Sequence, residues 1–88
     1  MSANDETLVR GLIQQAERAS AAGQRDEARR LLAQAEATAP SHPVVLNARA
    51  LELLQAGDAA RARELLERAV AADGDNPSLW MNLATAFH

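Results

Sequence analysis

The feature that most constrains this chain is an internal repeat. Shifting the sequence by 34 residues brings Gly23 onto Gly57, Ala28 onto Ala62, Leu32 onto Leu66 and Ala35 onto Ala69. Leu12 falls on Leu46 and then on Trp80, Ala16 on Ala50 and then on Ala84, and His42-Pro43 on Asn76-Pro77. The match runs from about Val9 to the last residue. A fixed period of this length means that one supersecondary unit recurs. Each copy is too small to bury its own apolar face, so neighbours must stack.

Inside each period the apolar residues return at intervals of three and four, which is the helical signature. The first halves carry Leu8, Leu12, Ala16 and Ala19, then Leu46, Ala50 and Leu53, then Trp80, Ala84 and Phe87. The second halves carry Ala28, Leu31, Leu32 and Ala35, then Ala62, Leu65, Leu66 and Ala69. Alanine supplies 21 of the 88 residues, against one Trp, one Phe and no Tyr. Alanine loses no side-chain entropy in a helix, and helices meeting at it approach to the short end of the usual range, about 8 Å. Local signals mark the ends. Gly23 and Gly57 suit C-terminal caps, and Gly74 is read the same way. Asp26 and Asp58 suit a helix opening, Pro43 and Pro77 a first turn, and Asn76 an N-cap. Helices are predicted at roughly 5–21, 25–38, 43–56, 59–72 and 77–88.

The expected fold is all-α, with five helices in antiparallel helix–turn–helix units, about 2.5 repeats. Residues 1–4 are expected to be a disordered N-terminus. Residues 5–42 and 43–76 form two repeats, and 77–88 the first helix of a truncated third. The expected stack curves, with the first helices on its inner wall.

This pattern resembles the tetratricopeptide repeat family. Trp80-Met81-Asn82-Leu83-Ala84-Thr85-Ala86-Phe87 fits that family's first-helix signature of aromatic, Leu, small residue and aromatic. Gly57, Ala62, Leu66 and Ala69 fit the second half, as do Gly23, Ala28, Leu32, Ala35 and Pro40. The departures are Gln15 and Arg49 in the slot of Leu83, Gly74 in that of Pro40, and Ala19 where an aromatic is expected. They mark the first helix as a terminal cap with a more polar face.

No catalytic constellation is present, and no enzymatic activity, metal site or cofactor is expected of these residues. There is no cysteine, so thiolate sites and disulfides are excluded. His42 and His88 are the only histidines, and His42 reads as a loop or capping residue. Asp73-Gly74-Asp75-Asn76 resembles part of a calcium loop but lacks the remaining ligands. The net charge of −3 gives no general attraction to nucleic acid or an anionic membrane. The Arg residues interleave with acids, giving the i,i+4 pairs Asp26–Arg30, Arg63–Glu67 and Glu64–Arg68 on solvated faces. No apolar run is long enough to span a bilayer, and the start is acidic and polar, so a cytoplasmic setting is expected. Nine Arg and no Lys beside so much Ala point to a GC-rich bacterial genome.

The resemblance implies a scaffold that binds a protein or peptide segment along its first helices. The rows off the core stripe are Ile13, Asn47 and Met81; Glu17, Leu51 and Thr85; Arg10, Val44 and Ser78; and Ser20, Leu54 and His88. The groove candidates are Arg10, Ile13, Glu17, Val44, Asn47, Leu51 and Met81. Ile13, Leu51 and Leu54 are equally well read as packing residues between units. A clamp for chaperone C-terminal carboxylates is argued against, because Ser78 and Asn82 stand where two cations would be needed. The chain stops within its fifth helix, so it reads as an N-terminal piece of a longer protein. Such segments resemble those ahead of 2-oxoglutarate-dependent hydroxylases and glycosyltransferases, which leaves a non-catalytic arm of an enzyme as the alternative function. Trp80, Leu83 and Phe87 are expected to form a bare patch through which two chains associate.

Overall fold

The computed structural model describes residues 3–87, and side-chain positions from residue 4 onward. Five α-helices follow in order among these: α1 (Ala3–Ala21), α2 (Arg25–Thr38), α3 (Pro43–Gln55), α4 (Ala59–Ala72) and α5 (Pro77–Ala86). The fold is all-α and agrees with the expected helices to within two residues. Helix α1 already runs through Ala3 and Asn4, inside the stretch expected to be disordered. Met1, Ser2 and His88 lie outside the described residues. No described helix is long and apolar enough to cross a membrane.

The turns form as local chemistry dictates. Gly23 and Gly57 adopt φ of +79° and +86°, where a β-carbon is costly. Around each, two backbone bonds close the helix end in a Schellman pattern. The Gln24 N–H donates to Ala19 O at 2.8 Å and Gly23 to Ser20 O at 3.0 Å; Asp58 donates to Leu53 O at 2.8 Å and Gly57 to Leu54 O at 3.1 Å. Helix α2 starts at Gln24 without a side-chain cap, whereas the starts of α3, α4 and α5 are fixed by side chains. Asp58 Oδ1 accepts from Arg61 N–H at 3.2 Å, Asn76 Oδ1 from Ser78 N–H at 3.0 Å, and His42 Nδ1 from Val44 N–H at 3.1 Å. Pro43 and Pro77 occupy the first turns of α3 and α5. Gly74 departs from expectation. Asp73 is the C-cap of α4, and Gly74 takes no positive φ. Its carbonyl instead accepts the Trp80 indole N–H at 2.8 Å.

The chain divides into two compact units, residues 1–40 and 41–88. In the first, α1 packs on α2, with Val9, Leu12, Ala16, Leu32 and Ala35 among the buried residues. Val9 is fully buried and the neighbouring Leu8 exposed, so the stripe of α1 starts one residue later than the sequence pattern suggests.

In the second unit, α4 packs on both α3 and α5, and α3 and α5 also touch. Ala62, Leu66 and Ala69 of α4 are completely buried. Ala62 and Leu66 share a cluster with Ala50 of α3 and with Leu83 and Ala86 of α5. Ala69 sits with Leu46 of α3 and Leu79 of α5. One face of α5 is therefore buried through Leu79, Leu83 and Ala86, and the apolar stripe of Trp80, Ala84 and Phe87 points outward. No polar or charged side chain is buried among the described residues, so apolar burial and close approach at alanine carry this unit.

Candidate partner-binding surface

Helix α3 presents Val44, Asn47 and Leu51 at intervals of three and four, all half-buried. Helix α5 presents Ser78, Asn82 and Thr85 at intervals of four and three. The two rows are joined by one hydrogen bond, from Asn82 Nδ2 to Asn47 Oδ1 at 2.8 Å. A side-chain amide has two donors and a two-lone-pair acceptor, so this bond uses a fraction of the pair's capacity. Asn47 keeps both N–H groups, and Asn82 keeps its carbonyl oxygen and one N–H, with no other partner among the described residues. That is a donor and an acceptor side by side, the complement of a backbone peptide group. Thr85 is less available, because its hydroxyl donates to Met81 O at 3.1 Å. Met81, beside Asn82 in sequence, is 70% exposed and adds a flexible apolar side chain.

The sequence candidates thus divide. Val44, Asn47, Leu51 and Met81 belong to residues 41–88 and sit on α3 and α5. Arg10, Ile13 and Glu17 belong to α1 in the other unit. Arg10 is exposed and tied to Glu6 by a 2.7 Å ion pair, and Glu17 is exposed. Ile13 is corrected: at 2% exposure it is a core residue of the first unit, with no surface to offer a ligand. Leu83 is corrected likewise. It is 8% exposed and packed in the cluster around Leu66, so the bare patch of α5 contains Trp80 and Phe87 without it. Asn82 is the residue that sequence reasoning did not count among the groove candidates. It lies 35 positions from Asn47, one step off the repeat, so aligned rows never pair the two. The available signal was two amides on successive first helices, offset by one residue.

Charges elsewhere form exposed pairs. Arg63 meets Glu67 at 2.8 Å as expected, while Arg30 is bound by Glu27 at 3.1 Å in place of Asp26. Among the described residues, no three His, Asp or Glu side chains are grouped to hold a metal ion. Asn76 of the calcium-like run spends its side-chain oxygen on the cap of α5.

Compared with protein-family models, residues 43–86 match one described as tetratricopeptide repeat, a span of half the chain. No curated protein matches the chain, and no solved structure does. The matched span holds α3, the Gly57 turn, α4 and α5. The chain belongs to the tetratricopeptide repeat family, whose repeats generally mediate protein–protein interaction and are typically non-catalytic.

Proposed function

We infer that the α3–α5 surface of residues 41–88 binds a segment of a partner protein in extended or helical form. The Asn82–Asn47 hydrogen bond carries this reading. It fixes two amides in place and leaves a donor and an acceptor free for a ligand backbone. Val44, Leu51 and Met81 flank them with apolar surface, so the segment is mixed, apolar on one side and amide-bonded at its centre. Preorganised amides lose little freedom on binding, which favours affinity from a small contact. The same surface serves a free-standing adaptor and a non-catalytic arm of an enzyme alike.

The test is selection of peptides from a displayed random library on the immobilised 88-residue chain, followed by fluorescence anisotropy on the selected sequences. Asn47→Ala together with Leu51→Ala is expected to weaken them at least about tenfold, the scale of one or two net hydrogen bonds plus a partly buried side chain. Helicity by circular dichroism should be retained. Peptides that bind the double variant as well as the parent would place the surface elsewhere.

A further inference from the structure

The bond between Asn82 and Asn47 has a direction. Asn82 Nδ2 donates and Asn47 Oδ1 accepts, at 2.8 Å. A side-chain amide carries its oxygen and its nitrogen on two arms, so turning one toward a neighbour turns the other away. With its oxygen committed to α5, Asn47 shows its two N–H groups to the remaining surroundings. Among the described residues no buried side-chain polar atom lacks a partner, so these unpaired N–H groups reach solvent. Val44 and Leu51, one turn away on either side of Asn47, have no polar side-chain atom to hold the amide instead. Its orientation is therefore set from α5. Without Asn82 the amide is free to turn and to offer either arm.

We propose that Asn82 is a positioning residue that sets the polarity of this surface: by holding the Asn47 oxygen it makes Asn47 a donor, so the group anchored at Asn47 is a carbonyl oxygen of the partner segment. This rests on the α3–α5 surface being the binding surface, and it gives the two asparagines unequal parts. Asn47 touches the anchored carbonyl, and Asn82 acts on that contact through Asn47. A carbonyl is held by an N–H and rejected by an oxygen, because two facing acceptors leave each other unsatisfied. The oxygen and the NH2 group of an amide are close in size. Turning Asn47 over therefore changes which partner group is accepted while leaving the shape of the surface almost unchanged. Asn82→Asp does the turning. A carboxylate only accepts, so Asn47 must give it an N–H, and the Asn47 oxygen then stands where the N–H pair stood. The link between α3 and α5 survives as a charge-assisted bond, and the second carboxylate oxygen still replaces the free acceptor of Asn82.

Two measurements on the 88-residue chain test this. The first needs no partner. In side-chain amide NMR spectra of the parent, one proton of Asn82 should exchange slowly with solvent and both protons of Asn47 rapidly. In Asn82→Asp the slow proton should belong to Asn47. The second uses the display-selected peptides as probes. Asn82→Asp is expected to bind them at least about tenfold more weakly by fluorescence anisotropy, although its melting temperature is kept. A purely structural role for Asn82 predicts no such loss, since the variant retains the bond. The loss should persist in about 1 M salt, where the added charge is screened. A slow proton on Asn47 in the parent overturns the proposal. Unchanged peptide affinity in Asn82→Asp, or a loss that disappears in salt, overturns it as well. Peptides weakened by Asn47→Ala with Leu51→Ala but indifferent to Asn82→Asp count against the polarity alone. Peptides indifferent to all three substitutions count against the surface itself.

Discussion

Helices α3 and α5 fill the same slots of the 34-residue period and both bury the slot of Val45 and Leu79, yet beyond it they bury different faces. In α3 the stripe of Leu46 and Ala50 is buried against α4. The slots of Trp80 and Ala84, its counterparts in α5, are exposed. In α5 the buried stripe is Leu79, Leu83 and Ala86, and its counterparts in α3 are Val45, Arg49 and Glu52. The last two are half-exposed and joined by a 3.0 Å ion pair, where their counterparts pack on Leu66. A first helix in such a repeat has two faces able to meet a second helix, one toward its own partner and one toward the preceding repeat. Helix α4 meets both helices through one stripe, Ala62, Leu66 and Ala69, and Leu66 shares a cluster with Ala50 of α3 and with Leu83 and Ala86 of α5.

The sharpest way to break this comparison is at the residue the two helices share. Leu66→Ala removes a side chain with no exposed surface, and a cost of about 2–5 kcal/mol is expected from lost burial and the cavity left behind. Urea unfolding followed by circular dichroism measures it, and a cost below about 1 kcal/mol would mean that α4 is not the shared centre. Within α5 the two faces should separate. Leu83→Ala is expected to cost roughly 2–3 kcal/mol, in the lower part of the range for buried leucine. Trp80→Ala, despite the larger side chain, should cost only about 1–2 kcal/mol for one hydrogen bond and partial burial. Both belong at low micromolar concentration, where association does not contribute. A reversed order would show that Trp80, and not Leu83, anchors the helix.

What was legible in the sequence is what is local. The helix ends are set by Gly23, Gly57, Asp58, Asn76 and the two prolines, each acting on backbone groups within a few residues, so their chemistry can be read without knowing the fold. Gly74 misled because glycine after a helix suggests a left-handed cap, while here its carbonyl is bound by an indole six residues on. The faces were not legible, because α5 is apolar on both. Leu79-Leu83-Ala86 and Trp80-Ala84-Phe87 have the same spacing and differ by one residue. The period aligns Trp80 with the buried Leu12 and Leu46, yet in α5 the neighbouring Leu79 is the buried residue. Leu8 and Val9 pose the same choice in α1. Of the candidate surface, Val44, Asn47, Leu51 and Met81 were marked by position in the repeat. The bond that unites α3 with α5 was not, because its two amides are out of phase with the period.

That bond offers a finer comparison, since it joins side chains of α3 and α5 directly. A double-mutant cycle of Asn47→Ala and Asn82→Ala should return a coupling of about 0.5–1.5 kcal/mol, the net worth of a neutral hydrogen bond. Coupling near zero would mean that α5 is held by its apolar face alone. In that case Asn47→Ala should leave the unfolding midpoint of the Leu83→Ala background unchanged, which the same denaturation series reads.

The smallest expected effect is at the outer edge of α5, where Arg63 of α4 serves two partners. Its guanidinium pairs with Glu67 and also lies over the Phe87 ring at 4.7 Å. An exposed ion pair is worth about 0.2–1 kcal/mol and fades with salt. A cation over an exposed ring is worth about 0.5–1 kcal/mol. The first contact lies within α4, and the second ties α4 to the end of α5. Arg63→Met keeps much of the stem while removing the charge, and Phe87→Leu keeps an apolar side chain while removing the ring. The cycle between them should give a coupling of about 0.5 kcal/mol, and it should persist in Glu67→Gln, where the ion pair is gone. If the coupling vanishes in Glu67→Gln, the guanidinium is positioned over Phe87 only by its carboxylate partner. The end of α5 then owes its place to Ala86 and the core stripe, and the contrast with α3 reduces to apolar packing alone.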